Sequence, residues 1–289
     1  MAKKRGLLIT NHFLNSAYLE SLYRLLSEAA EKMAIELSHT TGGAFMREIA
    51  HSPAAQADFV LFWDKDVSLA RRLVRHGVPV FNTPDAIRIC DDKAETAEAL
   101  LRAGLPTPRT LYAPLSYPSI GCENTDFVKD ACQTLGLPLV IKECFGSFGE
   151  QVHLAHTLAE AEALAHSLGG RRFLFQELIR DSFGVDLRVN VVGDKAVCAM
   201  RREGRAGDFR SNIAAGGSGT AYPLSEREAA LAVAAAKAVG ADFAGVDLLF
   251  AGEERLVCEV NSNPHFLGSY AATGVDLAPH IFSHILQRI

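Results

Sequence analysis

Near the C-terminal end, two apolar, β-prone runs, 243–250 and 256–261, are joined by Ala251-Gly252-Glu253-Glu254-Arg255. A short glycine-containing link between two such runs predicts a β-hairpin. If the hairpin is symmetric about that link, Asp247 lies directly opposite Glu259. Asn261 then shares the face of Glu259, because strand side chains repeat every second residue. Two carboxylates directly across a ladder repel each other. The neighbouring Val246, Leu248, Leu249, Val257 and Val260 predict partial burial, where unpaired charge costs most. A hard divalent cation would resolve the conflict, and Mg²⁺ commonly takes one or two carboxylates together with substrate phosphates. The alternative is the solvated polar face of an ordinary antiparallel pair, and the stretch taken alone leaves both readings open.

Length and composition narrow the classes. A chain of 289 residues can bury one large core or two to three smaller ones. Its net charge of −5 argues against a nucleic-acid binder, whose footprint is basic. No apolar run reaches membrane-spanning length, and the start Met1-Ala-Lys-Lys-Arg5 lacks the apolar segment of a signal peptide. The six cysteines form no CxxC pair and read as reduced, inert core thiols. A cytoplasmic protein with no nucleic-acid or membrane partner is expected, with homo-oligomerisation left open.

The first 90 residues alternate strands and helices. Apolar runs at 6–10, 35–39, 58–62 and 78–82 read as strands, with helical spacing at 19–33 and 69–75. The pattern predicts a small parallel, Rossmann-like α/β domain over 1–90. Ligands of such sheets sit beyond the carboxyl ends of the strands, which makes Asn11, His12 and Asn82 candidates; polar turn residues are the plain alternative. A helix over 91–103, closed by Gly104 and followed by Pro106 and Pro108, marks the first boundary. Strands at 138–142, 152–155 and 173–177, with an Ala-rich helix at 157–168, predict a second, α+β unit over 91–184. A hairpin at 185–200, a helix opened by the capping box Ser225-Glu226-Arg227-Glu228, the carboxylate hairpin and a closing helix at 276–288 predict a third over 185–289.

Several polar residues sit where polar residues are costly or unusual. Lys142 ends an otherwise apolar strand and calls for an anion. Gly146 and Gly149 follow it in a loop whose backbone could approach phosphate, or simply turn a hairpin. Gln176-Glu177 ends a strand and could meet a purine edge. Asp186 and Arg188 share a strand face, as a site or as a solvated ion pair. Residues 203–220 carry five glycines without apolar periodicity, and a loop this long is usually functional or disordered. Arg210, within Gly207-Asp208-Phe209-Arg210-Ser211-Asn212, could bind a phosphoryl group bidentately.

In this order the pieces resemble the ATP-grasp fold and, within it, the RimK-like α-L-glutamate ligases. The resemblance runs from about Asp91 to the C-terminus and rests most on Gly207-Asp-Phe-Arg-Ser-Asn212, Ala244-Gly-Val-Asp247, Glu259-Val-Asn261 and Thr273-Gly-Val-Asp276. Before Asp91 the likeness is to the general pre-ATP-grasp domain. The resemblance implies an α/β protein of α+β subdomains with ATP between two of them. It implies that Lys93, Lys142 and the flap with Ser147 hold the phosphates, that Gln176 and Glu177 meet the adenine and ribose, and that Asp186 touches the ribose. Arg188 and Arg202 would face the reacting carboxylate and phosphates, and Arg210 with Asn212 the transferring phosphoryl group. Asp247, Glu259 and Asn261 match the ligands of Mg²⁺ or Mn²⁺, two ions in the family pattern. The implied reaction is ligation of a small-molecule or peptide carboxylate to an amine or amino acid through an acyl phosphate. A small-molecule kinase or a non-catalytic nucleotide-binding module on the same fold are the rivals. The chain departs from the family at Glu150-Gln151, where members commonly carry another flap glycine. It departs again at His265-Phe266, unlike the better-known glutamate-adding members.

Overall fold

The computed structural model describes residues 3–14, 16–46, 48–146, 149–211 and 216–289. Strands β1 (Lys4–Thr10), β2 (Ile35–Thr41), β3 (Phe59–Trp63) and β4 (Val80–Phe81) form a parallel sheet in the order β2-β1-β3-β4. All five residues of β3 are buried, as a parallel strand covered on both faces requires. Helix α1 (Ala17–Lys32) packs Leu19, Leu22 and Leu26 on the Leu8, Phe59 and Leu61 face. Helix α2 (Val67–Arg75) packs Leu69, Ala70 and Leu73 on the Leu7, Ile9 and Val60 face.

The helix expected over 91–103 is α4 (Lys93–Arg102), and a further helix that was not expected, α3 (Pro84–Asp91), lies just before it. They break at Asp92, whose buried carboxylate accepts from the N–H groups of Ala94 and Glu95 and so caps α4. An aspartate at that position satisfies orphan donors that an unbroken helix would not present. Next comes a four-stranded antiparallel sheet in the order β5-β8-β6-β7: β5 (Thr110–Tyr112), β6 (Leu139–Glu143), β7 (Val152–Ala155) and β8 (Phe173–Glu177). Helices α5 (Asp126–Leu135) and α6 (Leu158–Ser167) cover the face carrying Leu139, Ile141, Phe173 and Phe175. Strand alternation puts Val140, Lys142, Leu174 and Gln176 on the other face.

A five-stranded antiparallel sheet follows, ordered β11-β10-β9-β12-β13: β9 (Val185–Val192), β10 (Lys195–Glu203), β11 (Ser218–Ala221), β12 (Phe243–Ala251) and β13 (Glu254–Asn261). Helix α7 (Glu226–Ala238) opens on the expected capping box, with Ser225 and Glu228 bonded reciprocally. Its Ala232, Ala235 and Ala236 let it lie close on Leu187, Val189, Val191, Ala244, Val246 and Leu248. After the short helix α8 (Leu267–Thr273), α9 (Ala278–Arg288) returns to the first unit and joins the core formed by α1 and β3. Phe282 meets Phe59 edge-on, and Trp63 stacks on Phe243.

Asn82 belongs to this junction. It is fully buried, its amide donates to the carbonyls of Phe243 and Ser262 at 2.9 and 2.6 Å, and its oxygen accepts from the N–H groups of Asp242 and Phe243. Every bond runs to the C-terminal hairpin, so Asn82 bolts the first unit to it and does not face a ligand.

The carboxylate hairpin has the expected pairing by a different route. Its strands continue to Ala251 and resume at Glu254, so the turn is Gly252-Glu253 and not a five-residue link. That turn alone would set Asp247 against Cys258. A register shift between Asp247 and Leu248 leaves Cys258 unpaired and brings Asp247 opposite Glu259. One extra residue on one strand is a β-bulge, a device common beside functional sites.

Candidate active site

The face of the C-terminal sheet turned away from α7 carries the polar row. Register pairs Met200, Arg188, Asp247 and Glu259 across β10, β9, β12 and β13, with Arg202 opposite Asp186 on one side. Arg188 donates from Nε and Nη2 to the two oxygens of Asp247 at 2.5 and 2.9 Å. Arg202 donates from Nε and Nη2 to Asp186 at 2.7 and 2.5 Å, and its Nη2 also lies 3.0 Å from Asp247. Two carboxylates and two guanidiniums thus form one neutral, buried network. Burial pushes the Asp247 carboxyl up, but the Arg188 and Arg202 charges outweigh it and hold the group below the usual carboxylate range. Burial likewise opposes the charge on Arg202, and Asp186 and Asp247 together raise its pKa. Gly245 is what lets Arg188 lie flat on β12: a Cβ there would come within 3.0–3.2 Å of the arginine Cδ, Nη1 and Nε.

Opposite this sheet stand two lysines, Lys142 on β6 and Lys93 at the start of α4. Lys142 donates to the Oε1 of Gln176 at 2.7 Å and reaches the Sγ of Cys258 at 3.4 Å. Burial pushes the Cys258 thiol up, with Lys142 opposing, so the lysine's described partners are a neutral amide and a thiol. Lys93 donates to the Gly146 carbonyl at 3.2 Å and lies 3.7 Å from Glu259. Arg210 donates from Nη1 to the Gly149 carbonyl at 3.0 Å, while Nε and Nη2 grip Asp208 at 3.0 and 2.9 Å. Lys142 on β6, Lys93 on α4 and Arg210 beyond β10 thus bridge the glycine flap and β6 to the C-terminal unit across one cleft.

Several sequence expectations look different in three dimensions. Gln176 lies on the cleft face, but Glu177 points to the other face, where its carboxylate accepts from the backbone and Nε of Arg109 at 2.7 and 2.8 Å. Both oxygens of Asp186 are taken by Arg202. Ser147 and Asn212 lie outside the described residues. The stretch 203–220, expected as one loop, is in part strand, since Glu203 ends β10 and Ser218–Ala221 form β11 beside it. Within it, 204–211 is tied by its backbone: Gly184 N–H donates to Phe209 and Gly204 N–H to Gly184. Apolar periodicity could not signal this, because the glycines permit close backbone approach without side chains. Cys258 is not a core thiol but a cleft residue, exposed to Lys142 by the bulge.

At the N-terminal side, Asn11 donates to Asp64 at 3.0 Å and caps its own turn, and His12 meets Thr41 at 2.8 Å. Asn263 donates to the Asp64 carbonyl at 3.0 Å, so the segment after β13 runs along this edge. There the Tyr18 ring lies 5.9 Å from His265, and sequence reasoning had not singled out Tyr18. Burial, with Arg188 and Lys65 adding to it, pushes His265 down to about 4. The unfolded chain then binds the extra proton between pH 6.5 and 4, so this stability is complete above pH 6.5 and is lost as pH falls. We expect a loss of about 3 kcal/mol by pH 4 from this group. His265→Gln should flatten that part of the curve in urea unfolding at pH 7 and pH 4.5; an unchanged slope would show that the ring titrates normally.

Among the described residues no three His, Cys, Asp or Glu side chains gather for a metal. The site instead offers two carboxylates and one amide, Asp247, Glu259 and Asn261, on adjacent strands. These are hard oxygen donors, and their chemistry fits Mg²⁺ or Mn²⁺.

Two antiparallel α+β units that face each other across a cleft, lysines on one and carboxylates on the other, define an ATP-grasp fold. Comparison with known proteins agrees. Residues 90–285 match the RimK-like ATP-grasp domain. The chain is 36% identical to a probable alpha-L-glutamate ligase 2 of Hahella chejuensis over 225 residues, 77% of this chain and 71% of that one. It is 38% identical to a probable alpha-L-glutamate ligase of Pseudoalteromonas translucida over 221 residues, 75% and 70% of the two chains. Among solved structures, a RimK domain ATP-grasp protein of Sphaerobacter thermophilus superposes with a TM-score of 0.72 at 23% identity, covering 97% of this chain and 98% of that one. D-alanine–D-alanine ligase of Bacillus anthracis complexed with ATP superposes with a TM-score of 0.76 at 20% identity, covering 98% and 96%. The chain belongs to the RimK-like ATP-grasp family and is an ATP-grasp carboxylate–amine ligase. No helix among the described residues is long and apolar enough to cross a membrane.

Proposed function

We propose that the chain joins the carboxylate of a small molecule or peptide to the amine of an amino acid, glutamate being the first to test, through an acyl phosphate, with release of ADP and phosphate. The observation that carries this reading is Lys142: an ammonium at the end of an apolar strand whose described partners are neutral, set opposite a row of carboxylates and arginines. Such a group supplies the charge that an incoming phosphate needs. Lys93 and Lys142 hold the phosphates from the β6 side. Gln176 lines the nucleotide cleft, and the strand end at Glu177 contributes backbone while its carboxylate stays on Arg109. Asp186 orients Arg202. Arg188 and Arg202 meet the substrate carboxylate, and Arg210, with Asn212, the transferring phosphoryl group. Asp247, Glu259 and Asn261 would hold Mg²⁺ or Mn²⁺, two ions in this reading, which neutralise phosphate charge when bound. No side-chain nucleophile is required, because positioning and charge neutralisation carry most of phosphoryl transfer. The first unit and the segment 261–270 select the acid and amine.

The test is phosphate release over a panel of acids and amines, with mass spectrometry of products and hydroxylamine as a trap. An acyl phosphate gives a hydroxamate. ADP with a stable phosphoester and no hydroxamate would replace the ligase reading with a kinase. The nucleotide assignment has its own check. Lys142→Ala should weaken ATP binding about ten- to a hundredfold by calorimetry, the loss of one charge-assisted contact. Equal affinities would remove Lys142 from the phosphate site.

A further inference from the structure

Asp247 is asked to serve two masters. Its Oδ1 accepts from Arg188 at 2.5 Å, and its Oδ2 accepts from Arg188 at 2.9 Å and lies 3.0 Å from Arg202. Both oxygens that a cation would use are therefore already bonded to guanidinium groups. The Asp247 and Arg188 side chains are only 8% and 11% exposed, so water screens little of the attraction.

The two arginines are not equally bound. Arg202 has an independent anchor, two bonds to Asp186 at 2.7 and 2.5 Å. For Arg188, Asp247 is the carboxylate it grips among the described residues, and its guanidinium rests on Gly245, which offers no side chain to lock it in place. Arg188 is thus the more easily released of the two. We infer that Arg188 competes with divalent cations for Asp247, so that loading a cation is an exchange in which the Arg188 fork leaves the carboxylate. The inference rests on the proposed reading of Asp247 as a metal ligand. Its chemical consequence is that one event does two things. The carboxylate passes from a guanidinium to a cation, and a planar two-donor fork, the group best matched to a carboxylate, loses its internal partner beside the cleft.

Mn²⁺ alone, without nucleotide, is the probe, and the electron paramagnetic resonance signal of free Mn²⁺ reports binding without any need for turnover. Arg188→Gln removes competitor and charge together and should bind Mn²⁺ at least about tenfold more tightly than the wild type. Arg188→Lys keeps the charge but loses the fork, and should bind about two- to threefold more tightly. Circular dichroism checks that each variant is folded. A folded Gln variant that binds Mn²⁺ no more tightly than the wild type overturns the inference. Should the Gln variant not fold, the Lys variant decides, and equal or weaker Mn²⁺ binding by it overturns the exchange. Failure of the metal reading itself looks different. In that case neither wild type nor variants bind Mn²⁺ even with a non-hydrolysable ATP analogue present, and the inference falls with it. Mn²⁺ binding with the analogue but unchanged affinity without it sinks the exchange alone.

Discussion

Replacing Asp247 by alanine should lower the unfolding free energy by about 3–5 kcal/mol, before any effect on catalysis is considered. The reason is charge balance in a buried place. Asp186 and Asp247 offset Arg188 and Arg202, and all four side chains are about one-tenth exposed or less. Removing Asp247 leaves a net positive charge on two guanidiniums with no water to take it up. For a chain of this size the melting temperature should fall by roughly ten degrees. Glu259→Gln makes the contrast. That side chain is 28% exposed and its ion-pair contact is Lys93 at 3.7 Å, a distance at which little stability is at stake. It should melt like the wild type while ADP formation is lost. Relief of repulsion between Asp247 and Glu259, which the sequence pattern suggests, should not raise its melting point, because the arginines already neutralise Asp247. Urea and thermal unfolding of both variants in chelator separate the cases. An Asp247→Ala protein that melts within two degrees of the wild type would mean that the network is not a buried one.

The parts legible in the sequence were those written in local spacing. Alternation over 243–261 put Asp247, Glu259 and Asn261 on one face, and Ser225 with Glu228 announced α7 because a capping box is complete within four residues. Helix α5 was equally legible and was missed: Phe127, Val128, Ala131 and Leu135 lie on helical spacing. What stayed hidden depends on neighbours far along the chain. Nothing near Arg188 shows that its partner is Asp247, 59 residues on, and nothing near Asn82 shows four bonds to a hairpin 160 or more residues away. The bulge at Cys258 has no sequence signature either. It corrects the register set by a two-residue turn, so the expected pairing of Asp247 with Glu259 followed from an assumed turn that the protein does not use. Glu177 illustrates a smaller limit. A strand-end pair reads as one unit in sequence, yet alternation sends Gln176 to the cleft and Glu177 to Arg109.

Arg210→Ala should lower turnover by about a thousandfold or more while changing ATP affinity by no more than about threefold. The structure gives this a geometric basis. Two of the guanidinium nitrogens, Nε and Nη2, are held by Asp208, whose hydrogen bond raises the arginine's pKa. The third, Nη1, spans the cleft to the Gly149 carbonyl on the flap. Arg210 is thus pre-aimed at the place where Gly146 and Gly149 would meet phosphate, with Nη1 leading and the Nε–Nη2 edge held by Asp208, so that the bidentate grip expected from sequence would need Asp208 to let go. A group of this kind stabilises charge that develops during transfer more than charge already present in bound ATP, so its loss appears in turnover and not in binding. Its side chain is one-third exposed, so stability should hardly change. Asp208→Asn keeps Arg210 but loosens its grip, and should cost turnover by an intermediate factor, again with ATP affinity preserved. Calorimetry for ATP and steady-state ADP release with the preferred acid and amine distinguish the roles. If Arg210→Ala instead loses ATP affinity and keeps turnover within about tenfold, Arg210 is a ground-state phosphate contact and transition-state stabilisation lies with the lysines and Arg188.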